Sequence, residues 1–201
     1  MSRYTGPRNK IAKRFDVNLW GRRRDPLATE QRTMRRRRGK KSNYGVRLDE
    51  KQKLRYYYGV IREKQFRMYF KQAKKVHGNI GSAFLVLLES RLDVVVFRMN
   101  FLPTIFAARQ FVSHGHIRVN GQKVDIASYM VKEGDKITLS DTGKAMPLIT
   151  EYLADPERDT PDYVNFDAKT MTGEFVRKPV RDEIMYPFTL NESLIVEYYS
   201  R

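Results

Sequence analysis

The sequence predicts an α+β fold: a basic extended N-terminal arm, a helical domain, and a small module of two short helices plus antiparallel hairpins. Three observations carry that reading. Residues 1–75 hold 25 Lys and Arg against 6 Asp and Glu, a net of +19, whereas residues 76–201 hold 14 against 17, a net of −3. Apolar residues recur near the 3.6-residue helical period between Leu54 and Ala73. At His116 the period changes to two, and the runs HIRV and QKV flank an Asn120-Gly121 pair, the signature of a tight hairpin.

Composition narrows the function. A chain of 201 residues has room for one compact domain or two small ones. With 41% hydrophobic and 12% aromatic residues it can bury a core, which a disordered polycation cannot. It has no cysteine, which excludes disulfides and thiolate metal sites. His114 and His116 lie two apart, and a zinc centre would need further ligands when His77 is the only other histidine. We therefore expect no metal and no cofactor. GNIGSAF has neither the lysine nor the spacing of a phosphate-binding loop, and no nucleophile–base constellation stands out, so neither an enzyme nor a small-molecule substrate is expected.

A net charge of +16 with a pI near 10.0 suits a polyanion, nucleic acid first and an anionic membrane surface second. No membrane is expected, because the longest apolar run, Ala83 to Leu88, is six residues and a span needs roughly 20. The opening MSRYTGPRNKIAKRF has no apolar signal region, so an aqueous, reducing compartment is expected.

The arm, 1–46, concentrates cations: Arg3, Lys10, Arg14, the cluster Arg22, Arg23 and Arg24, then Arg35, Arg36, Arg37 and Arg38, with Lys40 and Lys41. It reads either as a solvated tail or as an arm that orders on RNA. The anchors Ile11, Phe15, Leu19 and Trp20, and the dominance of arginine, favour the second, since guanidinium suits bidentate phosphate contacts and base stacking. In the helical domain, 47–90, Asp49 is the expected cap with Gln52 three residues on. Leu54, Tyr57, Tyr58, Ile61, Phe66, Tyr69, Phe70 and Ala73 form the core stripe, with a bend at Gly59. The opposite face carries Lys51, Lys53, Arg55, Arg62, Lys64, Arg67, Lys71, Lys74 and Lys75, interrupted only by Glu50 and Glu63, and is read as facing phosphates.

Residues 91–150 form the module. Leu92 to Met99 continue a helical stripe, although the β-branched run Val94–Val96 also fits a strand. Pro103 and Thr104 start a short helix that reaches about Ser113 and stops at Gly115. The Asn120-Gly121 hairpin follows, and a second is expected from Tyr129–Val131 across Glu133-Gly134-Asp135 to KITL. Residues 151–187 are a mixed extension. A helix near Leu148–Leu153 precedes an acidic loop, LADPERDTPD, which reads either as solvated surface or as facing a protein partner, and strands over Tyr163–Phe166 and Glu174–Arg177. A capped segment, NESLIVEYY, closes the chain.

The run RLDVVVFRMNF followed by TIFAARQFVSHGHIRVNGQKVDIASYMVKEGDKI resembles the small RNA-binding module called the S-four domain. The resemblance implies that Arg91, Arg98, Arg109 and Gln110 face RNA from the two helices, and that Ser113, His114, His116 and Arg118 do so at the corner beside the hairpin. Related modules occur in pseudouridine synthases, tyrosyl-tRNA synthetases and heat-shock RNA binders. The flanks DEKQKLRYYYGVIREKQFRMYF, GEFVRKPVRD and LNESLIVEYYSR, with SRYTGPRNKIAKRF at the start, instead resemble the ribosomal protein S-four family, bacterial or organellar in type.

That family implies a module inserted into a helical domain, which residues 188–201 complete. It implies binding to 16S rRNA at a junction of the 5′ domain, nucleation of the small-subunit body, contact with ribosomal protein S-five and other small-subunit proteins, and an effect on decoding accuracy. It also raises repression of the chain's own mRNA. The expected location is a cytoplasmic or organellar ribosome. Two alternatives stay open here: an enzyme acting on RNA that carries the module, and a free RNA chaperone or translational regulator. This chain departs from the family in the arm, where it has no zinc-binding cysteines and reads TEQRTM over Thr29–Met34 in place of Pro-Gly-Gln-His-Gly.

Overall fold

The computed structural model describes residues 4–23, 25, 27, 41–156 and 158–200. In chain order the described residues form α1 (Arg8–Phe15), α2 (Asn43–Tyr57), α3 (Glu63–Ala73), α4 (Ile80–Glu89), α5 (Leu92–Arg98), α6 (Ile105–Ser113), β1 (Ile117–Val119), β2 (Gln122–Lys123), β3 (Asp135–Leu139), α7 (Asp141–Lys144), α8 (Pro147–Ala154), β4 (Val164–Asp167), β5 (Thr172–Phe175) and α9 (Glu192–Ser200). They make two compact units, Met1–Gly81 with Met185–Arg201, and Ser82–Ile184.

The first unit is helical. Ser42 caps α2 by accepting a hydrogen bond from the Gly45 backbone N–H at 3.2 Å. The cap therefore lies seven residues before the expected one, and Asp49 lies inside the helix, accepting from Lys41 Nζ. The expected bend is real: Gly59 and Val60 both take positive φ, 73° and 58°. Leu54 and Tyr57 of α2, Phe66, Tyr69, Phe70 and Ala73 of α3, and Ile195 of α9 supply the core. Tyr186 and Phe188 pack edge-on against Tyr57 at 5.1 and 5.6 Å, and the Tyr58 and Tyr186 hydroxyls share a hydrogen bond of 2.6 Å. The start of the basic arm joins this body. Ile11, Ala12, Leu19 and Trp20 are buried, and Trp20 Nε1 donates to the Tyr56 carbonyl at 3.3 Å.

The second unit packs helices on a five-stranded antiparallel sheet of order β2-β1-β3-β5-β4. Asn120 and Gly121 link β1 to β2 with φ of 50° and 81°, the left-handed pair a type I′ turn requires. Asn120 also ties the turn to β3, donating to Asp135 Oδ1 at 2.8 Å and accepting from the Lys136 N–H at 2.9 Å.

The second hairpin does not form as expected. Tyr129–Val131 pairs with the chain around Arg91: the Leu92 N–H donates to the Tyr129 carbonyl and the Val131 N–H to the Ser90 carbonyl, each at 2.8 Å. The free edge of β3 is taken by β5 in four registered pairs, Asp135–Phe175 to Thr138–Thr172. Val94–Val96 is helical because every residue of α5 is buried, so the packing around the run overrides its β-propensity.

The acidic loop is not simply solvated. Arg158 donates from Nη1 to the Pro103 carbonyl at 2.7 Å and from Nη2 to the Leu102 carbonyl at 2.9 Å and the Phe97 carbonyl at 3.2 Å. Its guanidinium carbon lies 3.8 Å from the Phe97 ring centroid. One arginine thus closes the orphan carbonyls after α5 and anchors the loop. Arg158→Ala is expected to destabilise the second unit by about 2–4 kcal/mol, because several charge-assisted hydrogen bonds and a cation–π contact are lost together. Urea unfolding checks this, and a midpoint equal to wild type would show the loop to be solvated after all.

Candidate nucleic-acid interface

The structure divides the cations singled out above into those consumed by the fold and those turned outward. In the first unit, α2 loses most of its expected basic face. Lys51 is buried, donates to Glu63 Oε1 at 3.0 Å, and sits 4.4 Å from the centroid of the Tyr198 ring. Lys53 pairs with Glu50 and donates to the Thr189 carbonyl at 3.1 Å. Arg55 donates to Gln52 at 2.8 Å and to the Ile61 carbonyl at 3.1 Å. These three join α2 to α3, to the α2–α3 bend and to the segment entering α9, so the expected phosphate face of α2 is revised to an internal clamp.

Glu63 is its hub. Burial alone would raise the Glu63 pKa, but hydrogen bonds from Tyr199 and Lys51 outweigh it and hold the carboxyl below its ordinary range. Burial and the same carboxylate push the Tyr199 phenol up.

On α3 the expectation stands differently. Arg62 at its N-cap and Lys64, Arg67 and Lys71 along it are all exposed, as are Lys74 and Lys75 beyond its end. Positions 64, 67 and 71 share one helical face, so the cations form a stripe opposite the buried Phe66, Tyr69, Phe70 and Ala73. Lys10 and Arg14 on α1 are exposed, Arg14 lying 3.8 Å from Asp49. Arg23 is exposed, and Arg22 is half-buried over the Trp20 ring at 5.8 Å. Arg3, Arg24, Arg35, Arg36, Arg37, Arg38 and Lys40 lie outside the described residues.

In the second unit, Arg91 and Arg98 do not reach the surface. Arg91 makes a two-pronged pair with Asp93, at 3.0 and 2.8 Å, and Arg98 one with Glu89, at 2.9 and 2.7 Å; both carboxylates are fully buried. The Tyr163 hydroxyl donates to Glu89 at 2.9 Å. Arg109, half-buried, donates to Asp93 at 2.8 Å. The expected RNA-facing roles of Arg91 and Arg98 are thus revised: these side chains neutralise the carboxylates that hold α4, α5 and α6 together.

The corner keeps its outward groups. Gln110, Ser113, His114 and Arg118 are exposed, and His116 stacks on Phe111 at 4.7 Å with its Nδ1 3.4 Å from the Thr142 hydroxyl. Sequence reasoning missed Lys123. The β1–β2 register sets it directly opposite Arg118, and its side chain covers Gly115 so closely that a Cβ there would lie 2.7 Å from Nζ. Like charges facing each other across a strand pair oppose folding, so a polyanion is the natural counterpart. Counting two residues outward on each side of the Asn120-Gly121 turn sets Lys123 opposite Arg118 and could have found it.

Among the described residues there is no group of three or more His, Asp or Glu able to hold a metal, and no helix long and apolar enough to cross a membrane. The family described as ribosomal protein S4/S9 N-terminal domain matches residues 3–89, and that described as S4 domain matches residues 90–137. The chain is 45% identical to small ribosomal subunit protein uS4 of Jannaschia sp., with 100% of each chain covered. It is equally similar to the proteins of that name from Pelagibacter ubique and Rickettsia typhi, again with 100% of each chain covered.

The Asp93 pair gives a pH test. Burial would raise the Asp93 carboxyl, but Arg91 and Arg109 override it and hold the group below its ordinary value of about 3.9. A depressed folded pKa stabilises the protein fully above the unfolded value, and that contribution is lost as pH falls through the folded one. Asp93→Asn is expected to cost about 3–5 kcal/mol at pH 7. The gap to wild type should narrow below about pH 4. Urea unfolding across pH measures it, and a gap constant from pH 7 to pH 3 would contradict the assignment.

Proposed function

This chain belongs to the ribosomal protein S-four family, and we propose that it is a primary 16S rRNA-binding constituent of the small ribosomal subunit that nucleates assembly of the subunit body. The family consists of structural RNA-binding proteins and not enzymes. The observation that carries the proposal is the outward stripe of α3, where Arg62, Lys64, Arg67 and Lys71 all remain exposed while the neighbouring cations of α2 are paired internally. Positive charge left exposed along one helix face suits contact with phosphates.

The module corner, with Gln110, Ser113, His114, His116, Arg118 and the additional Lys123, supplies a second contact region, and the arginine cluster Arg35–Arg38 a third. Several contact regions on one chain suit a junction of RNA helices in the 5′ domain, whose relative angles the protein would fix. Ribosomal protein S-five, and through it an effect on decoding accuracy, belongs to the same proposal, as does binding to the chain's own mRNA. The setting is the ribosome, in a cytoplasm or an organelle.

A hydroxyl-radical footprint of the purified protein on full-length 16S transcript, without other proteins, tests the reading. Protection concentrated at one multi-helix junction of the 5′ domain is expected; diffuse protection lost at moderate salt would favour a general RNA chaperone. Changing Arg35–Arg38 together to alanine is expected to flatten the salt dependence of binding by up to about 3 logarithmic units per decade of salt. An unchanged slope would show those arginines to be solvated in the complex.

A further inference from the structure

A groove of about 620 Å³ opens in the first unit between the residues preceding α1, α1 itself and Tyr56 of α2. Its size falls within the range of clefts that hold small flat ligands. Two tyrosine rings line it. Tyr4 folds back over Gly6, where an added Cβ would lie 2.6 Å from the Tyr4 hydroxyl oxygen, so the glycine is what lets the ring lie down. Tyr56 is half-buried, backed by Phe15 at 5.9 Å and by the Arg55 guanidinium 4.9 Å from its own ring centroid. The groove's remaining lining includes Lys10, Lys13 and Arg14, all exposed. No side chain caps the N-terminus of α1, and its first turn carries no acidic residue to oppose an anion.

An aromatic, largely apolar slot rimmed by cations fits one ligand chemistry: a flat heterocycle joined to a phosphate. We infer that this groove takes an unpaired RNA nucleobase, stacked against Tyr4 and Tyr56, with the flanking phosphate neutralised by Lys10, Lys13 and Arg14. The inference rests on the proposed RNA-binding function and adds to it a stacking site for one extruded nucleotide. Stacking accepts any base, because every base has a π-face, and it releases no counterion, so it strengthens binding without steepening the salt dependence.

The test uses the full chain bound to full-length 16S transcript. Irradiation at ultraviolet wavelengths followed by mass spectrometry is expected to find a nucleotide adduct on the peptide holding Tyr4 or Tyr56. Tyr4→Ala is expected to weaken binding by about 5- to 100-fold with the salt slope unchanged, and Tyr4→Phe to bind as wild type. Tyr4 precedes α1 and lies outside the buried Ile11, Ala12, Leu19 and Trp20 set, so a thermal melt of Tyr4→Ala should match wild type. Wild-type affinity in Tyr4→Ala with no adduct would overturn the stacking site and leave the 16S reading standing. A loss accompanied by a flatter salt slope would also overturn it, by showing that charge had moved instead. Failure of the wild-type chain itself to bind the transcript would remove the 16S reading and this site with it.

Discussion

Asp93 is wholly out of water with Arg91 and Arg109 against it, and Glu89 is equally buried against Arg98 and the Tyr163 hydroxyl. Taking such groups out of water costs several kcal/mol per ion, and only close, doubly hydrogen-bonded partners offset it. A chain with 39 basic and 23 acidic residues has too few carboxylates to neutralise every cation. Its carboxylates therefore select which cations become structural. Glu63 does the same for Lys51 in the first unit, where the ammonium is buried between a carboxylate and a tyrosine ring. Cations held by buried carboxylates are withdrawn from solvent, and the exposed ones remain available to a polyanion.

The resulting surface is simpler than the raw charge count. α3 keeps a stripe of exposed cations because its own buried face is purely aromatic and apolar and offers them no partner. α2 loses its stripe because Glu50, Glu63 and the Thr189 carbonyl all lie within reach. At the module corner the Arg118–Lys123 register places two positive groups opposite each other with Asn120 fixing the turn between them. Like charges so placed oppose folding, and a polyanion would relieve them.

Much of this was legible in the sequence, for physical reasons that differ from element to element. The Asn120-Gly121 turn, the Thr104-capped α6 and the aromatic stripe of α3 rest on local chemistry, and the structure has them as read. Asp49 and Ser42 are equally good caps by composition, and only the helix that starts at Asn43 decides between them. Tyr129–Val131 reads as a strand ahead of the Glu133-Gly134-Asp135 turn, but its partner is a non-local segment near Arg91, which no local pattern reveals. The resemblance implies RNA-facing roles for Arg91 and Arg98, and arginine is usually exposed; their burial depends on Asp93 and Glu89, which the fold brings alongside. Arg158 was hidden in an acidic loop for the same reason, since its four acceptors lie more than fifty residues away in sequence.

We propose that pairing inside the fold, and not the number of cations on a helix, decides which of them bind RNA. The most direct measurement compares the salt dependence of 16S binding for two variants with charge removed, Lys51→Gln with Lys53→Gln on α2, and Lys64→Gln with Arg67→Gln on α3. The α3 pair is expected to lower the slope by roughly 1.5 with the unfolding midpoint unchanged. The α2 pair is expected to lower the unfolding midpoint and leave the slope as it was. Equal flattening of the slope by both pairs would contradict the claim, because it would mean that Lys51 and Lys53 leave their internal partners to meet phosphate.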